Sequence, residues 1–163
     1  MIDLPYRAGE KPKTTSSNPH QQLSQNPKPE VYELLLSKAF DFPHVERRRS
    51  AISVPGAQAL WLSEEIPGAR PEAFLIGREF AHLHPPYDGS MHMMLPSKAV
   101  EQLLEKGWGE PHPMARRGLI PATAVMVCVA SRPAFPIVSK ALMALFSSGN
   151  SVMASMSHSP MSP

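Results

Sequence analysis

The chain has 163 residues, 42% of them hydrophobic, and a net charge of +2 whose basic residues are scattered rather than massed on one periodic face, which argues against a nucleic-acid-binding surface. A lone cysteine, Cys128, excludes an internal disulfide, and no run approaches the about 20 apolar residues of a membrane span. The length suits one domain with one core, and 19 prolines imply many loops.

Residues 1–28 carry Pro5, Pro12, Pro19 and Pro27 among polar residues, so an irregular, flexible N-terminal arm is expected. The start also lacks the apolar core of a signal peptide, and a cytoplasmic protein is expected. The main domain is read over 29–147. It opens with a helix at "PEVYELLLSKAF", where Pro29 suits the first turn, Glu30 complements the dipole, Val31, Leu34, Leu35 and Lys38 share a face, and Pro43 stops it.

From about 45 to 95, short β-like runs follow: "SAISV", "AQALWL", "EAFLIGREFAHLH" and "MHMML". Their separators are short and rich in Pro and Gly, which favours antiparallel hairpins. The triplet Arg47, Arg48, Arg49 reads as a solvated strand end or turn. In "PSKAVEQLLEKGWG" the pattern predicts a helix with Ser97 as N-cap, an apolar stripe of Ala99, Val100, Leu103 and Leu104, and Gly107 in the left-handed cap. The loop "GEPHPMARRGLIPA" should lead into a buried strand, "TAVMVCVA", with Cys128 an inert thiol inside it. A last helix is expected after Pro133 with Ile137, Val138, Ala141, Leu142 and Leu145 on its core face, and 148–163 should form a disordered tail. Together these elements predict an α+β domain: a mostly antiparallel sheet covered by about three helices, with flexible termini.

The chemistry concentrates in "GREFAHLHPPYDGSMHMMLP", residues 77–96. Period-two alternation puts Phe80, His82 and His84 on one face of a strand and Glu79, Ala81 and Leu83 on the other. A five-residue loop, Pro85 to Gly89, sets His92 opposite His82, so three imidazoles converge. Such a trio suits a zinc or non-haem iron centre with open positions, Glu79 joining only if a bulge turns it round. Without metal, the same trio suits acid/base work by mutually discharged imidazoles, with Asp88 orienting one of them from the turn. Elsewhere, Arg78 is a candidate anion clamp or a strand-edge residue, Trp108 a pocket wall or a core cap, and His112 a substrate contact or a solvated loop residue.

Taken together, "REFAHLHPPYDGSMHMML" and, after one helix, "KGWGEPHPMA" resemble the luciferase domain of fungal bioluminescence enzymes and their non-luminous bacterial and fungal relatives. The resemblance rests on Arg78, Glu79, His82, His84, Asp88 and His92, then Gly107, Trp108, Gly109, His112 and Pro113, and on the opening "DLPYRAGEKPKTTS". It implies catalysis by His82, His84, His92, Asp88 and Glu79, substrate contacts from Arg78, Trp108 and His112, and molecular oxygen as co-substrate with no organic cofactor. The implied substrate is a small electron-rich phenol or hydroxypyrone, oxidised through a peroxide that loses carbon dioxide. Residues 45–75 look unlike the luminous enzymes, so an enzyme that emits no light is expected. Two other readings stay open: a metal-dependent enzyme such as a zinc hydrolase using His82, His84 and His92, and a non-catalytic module that binds an aromatic acid.

Overall fold

A computed structural model describes residues 4–66 and 71–129, together with Lys140. The expected last helix after Pro133 and the tail 148–163 lie outside the described residues.

The described residues form an α+β fold built on one open sheet. Helix α1 spans Pro29–Ala39, followed by strands β1 (Val45–Arg49), β2 (Gln58–Leu62), β3 (Glu79–Leu83) and β4 (Met91–Met94), then helix α2 (Ser97–Glu105), strand β5 (Gly109–Pro111), helix α3 (Pro113–Arg116) and strand β6 (Ala124–Val127). The six strands run antiparallel in the order β1-β2-β3-β4-β6-β5. One face carries Leu60, Ala81, Leu83, Met91, Met93, Val125 and Val127, packed in a single buried cluster with Val31, Tyr32, Leu35 and Ala39 of α1 and Ala99, Val100 and Leu103 of α2.

Both long helices start where their prolines direct. Pro29 opens α1 with Glu30 in the first turn and Lys38 in the last. Its buried face is Val31, Tyr32, Leu35 and Ala39, which join the core cluster, while the expected Leu34 is exposed. In α2 the cap position falls on Pro96, so Ser97 is the first helical residue and makes no side-chain cap; Gly107 does take the left-handed conformation, at φ +79°.

Three expected elements fall differently. "SAISV" is a bent crossing after β1, and the strand is the arginine run itself, Val45–Arg49. An edge strand needs no apolar face on its outer side, and the guanidiniums of Arg47 and Arg48 lie over the rings of Phe40 and Trp61. Within "EAFLIGREFAHLH" only Glu79–Leu83 is strand: Pro71–Ala73 forms a short 3-10 turn, and a further turn runs through Gly77 and Arg78. The supposed loop after α2 contains β5 and α3, since Glu110 and Pro111 pair with Met126 and Val125 and His112 caps the helix.

The N-terminal arm packs on the body. Leu4 is buried, the Trp108 indole donates to the Pro5 carbonyl at 2.7 Å, and the Gln22 amide donates to Asp88 at 3.0 Å. At Gly89, which has φ +68°, an added Cβ would lie 2.2 Å from Pro27, so only glycine lets the arm cross the β3–β4 turn. None of the described helices is long and apolar enough to cross a membrane.

Candidate functional site

The sheet face opposite the helices carries the polar chemistry. Strand register aligns Ala59, His82, His92, Met126 and Glu110 in one row across five strands. The expected opposition of His82 and His92 is thus realised, and His84 follows two residues after His82 on the same side. The His84 amide donates to the Ser90 carbonyl, closing the hairpin.

Glu79 reaches this face through a bulge. Leu60 pairs with Ala81 but Trp61 pairs with Glu79, so β3 holds one extra residue, Phe80, between them. Phe80 therefore joins the core cluster instead of the histidine face first expected for it, and Glu79 turns toward His82. The Glu79 carboxylate is fully buried and accepts from His82 Nδ1 at 2.8 Å, from the Ser50 hydroxyl at 2.7 Å and from the Ala51 amide at 3.2 Å.

These bonds fix hydrogen positions by elimination. His82 donates from Nδ1 to Glu79, so its Nε2 accepts, at 3.0 Å, from His92 Nδ1. His92 Nε2 is then a bare lone pair, and it is buried without a partner. On the other side, His84 Nδ1 meets Asp88 Oδ2 at 2.5 Å, and Asp88 Oδ1 accepts from the amides of Gln22 and Ser90.

Burial sets the charge states. It depresses His82 below its ordinary value despite the opposing pull of Glu79, and holds His92 well below, helped by the surrounding imidazoles. His112 falls to about 4, again through burial first. Burial alone would raise Asp88, but hydrogen bonds from His84, Ser90 and Gln22 outweigh it and leave the carboxyl below its usual range.

Two more imidazoles complete the group. His112, at the cap of α3, lies edge-on to His92 with ring centroids 5.3 Å apart, and its Nδ1 accepts from the Met114 amide. His20, from the arm, lies nearly parallel to His92 at 5.2 Å, bonds Glu110 at 2.7 Å through Nε2, and leaves a buried Nδ1 unpartnered. Sequence reasoning missed both His20 and Glu110. A histidine in a proline-broken arm has no periodicity to place it, and the "GEP" of β5 is too short to read as a strand.

All five histidines touch a cavity of about 680 Å³ whose other walls include Ile52, Val54, Phe74, Met94, Met114 and Ile120. Among the described residues, no lysine, arginine or carboxylate lines it. Glu79 and Asp88 stand behind His82 and His84. Arg78 lies outside the cavity lining, its guanidinium donating to the carbonyls of Leu62, Ser63 and Ile66. Trp108 also lies outside it, buried under the arm with its indole N–H on Pro5. Two overlapping trios, His82–His84–His92 and His20–His92–His112, each present ligand atoms within 4.8 Å of one another.

The Luciferase domain family matches residues 77–133. Luciferases of Armillaria gallica and Armillaria mellea are each 30% identical over 133 residues, covering 73% of this chain and 50% of the relative. The luciferase of Neonothopanus nambi is 30% identical over 134 residues, covering 73% and 49%. The chain thus spans about half the length of the curated relatives it matches, and no solved structure matches it. The family match falls on β3 to β6, the segment that carries four of the five clustered histidines, and the chain belongs to the luciferase-domain family.

Proposed function

We propose that this protein is an oxygen-dependent, oxygenase-like enzyme that acts on a small, electron-rich phenolic or hydroxypyrone-like molecule and emits no light. The observation that carries the reading is a cluster of imidazoles, carboxylate-backed at His82 and His84, opening on a cavity of about 680 Å³ with no lysine, arginine or carboxylate among its described lining residues. Such a cavity favours a neutral planar guest. A module that only holds an aromatic acid would need a cation for the carboxylate, and none of the described residues lining this cavity is a lysine or arginine.

The chemistry suits the surroundings. A cluster imidazole takes the enolic proton, and the resulting anion gives an electron pair to the new carbon–oxygen bond while molecular oxygen is reduced to the peroxide level. Because His112 accepts at Nδ1, its neutral ring carries hydrogen on Nε2, a donor suited to the negative peroxide oxygen in a dry site. The cavity wall formed from Ile52, Ser53, Val54 and Pro55 belongs to the segment whose sequence reads as unlike the luminous enzymes, and the absence of light is proposed on that reading. The single buried thiol fits a reducing compartment such as the cytoplasm.

Oxygen uptake and photon counting with 3-hydroxyhispidin and simpler hydroxypyrones test the reading. Substrate-dependent oxygen uptake that is lost in His92→Ala, without photons, is expected. An enzyme that consumes neither oxygen nor any of these compounds would end it.

A further inference from the structure

Glu79 and Asp88 are 0% and 1% exposed, and among the described residues they form ion pairs only with imidazoles, His82 and His84 respectively. Two buried carboxylates call for compensating positive charge. Two buried ring nitrogens, His92 Nε2 and His20 Nδ1, also have no hydrogen-bond partner among the described residues, a state that native interiors rarely leave unexplained.

From this arrangement we infer that His82, His84 and His92 hold one divalent first-row transition-metal ion, with Glu79 and Asp88 as the carboxylates behind the ligands. Imidazole nitrogen suits zinc, iron, cobalt or copper better than magnesium or calcium. His82 and His84 each have Nδ1 turned to a carboxylate, which frees Nε2 for a metal in the usual carboxylate–histidine–metal order. His82 Nε2 and His92 Nδ1 lie 3.0 Å apart; neighbouring ligands around an ion bonded at about 2.0–2.1 Å lie roughly 3.0–3.4 Å apart.

Hydrogen positions choose between the two trios. In His20–His92–His112, the His112 Nδ1 accepts from the Met114 amide, so its Nε2 carries hydrogen and offers no lone pair. That set falls to two ligands. In the chosen trio, binding at His92 Nδ1 moves its hydrogen to Nε2, giving the unpartnered atom a proton to donate. Beside it the His20 ring stacks nearly parallel at 5.2 Å, held by Glu110 at Nε2. One ion thus brings positive charge to both buried carboxylates. Its remaining positions are left for water or a substrate oxygen.

The ion would share the site of the proposed reaction, but the inference stands on geometry alone. Ion binding is measured without substrate and oxygen uptake with it, so each can fail separately. Chelator-treated protein titrated with cobalt(II), followed by visible absorption and calorimetry, should take up one ion per chain, and X-ray absorption of the wild-type zinc form should show three imidazoles. Folded His82→Ala, His84→Ala and His92→Ala should bind at least about 100-fold more weakly, and Glu79→Gln and Asp88→Asn about 10- to 100-fold more weakly. His112→Ala should bind like the wild type. The inference is overturned if the wild-type chain shows no saturable uptake, or if uptake survives in His82→Ala and His84→Ala but is lost in His112→Ala.

Discussion

The two faces of this sheet are made by the same strands, yet they hold opposite chemistry. On β3, Ala81 and Leu83 enter the apolar cluster under the helices, while His82 and His84 point to the cavity. On β4, Met91 and Met93 enter that cluster, while His92 and Met94 line the cavity. Stability and chemistry are therefore separated by one position along the chain. A slip of one residue in the β3–β4 pairing would exchange them, so the apolar face also holds the imidazoles in register.

The strongest test of this division is on the polar face. His82→Ala or His92→Ala should lower turnover by about 10²- to 10⁴-fold, the range of a lost acid/base group, with the circular dichroism spectrum unchanged. Unchanged turnover in both variants would show that the cluster is not the site.

The adjacent apolar position should respond in the opposite way. Leu83 is 0% exposed between His82 and His84 in sequence, and Leu83→Ala should cost about 2–5 kcal/mol in denaturant unfolding. Its kcat per folded molecule should stay near wild type; a loss matching that of His82→Ala would mean the two faces are not separable.

A smaller effect sharpens the role of the bulge. Glu79→Gln keeps the shape but weakens the hold on His82 Nδ1, and kcat should fall by about 10- to 100-fold with little change in KM. Equal activity would reduce Glu79 to a structural tie between β3 and the segment starting at Ser50.

The smallest effect is expected at Cys128, whose thiol burial pushes up to about 12. At pH 8 roughly one molecule in ten thousand is then thiolate, so native protein should resist alkylation that proceeds readily in denaturant. Fast labelling of the native state would show that the end of β6 opens.

Local order in the chain made several features legible. The alternation of "AHLH" and "MHMM" with a short turn between them was enough to pair His82 with His92, because strand period and loop length act over a few residues. The Pro29 and Gly107 signals marked their helix ends for the same reason. Arg47 to Arg49 was harder to read, because an edge strand tolerates charge that a buried strand does not.

The sequence by itself determined the α+β class, the apolar alternation of the central strands and the convergence of His82, His84 and His92. Only the tertiary structure decided that Glu79 turns to His82, since a bulge depends on how β2 and β3 pair, and a single extra residue leaves no local mark. Only it brought His20 from the arm against His92, 72 positions away, and Glu110 of β5 to His20, 90 positions away. Only it withdrew Arg78 and Trp108 from the cavity, by giving their donors backbone carbonyls to satisfy. Spacing along a strand fixes which side chains share a face, but contacts across long separations follow from packing the whole chain, and that information is not local.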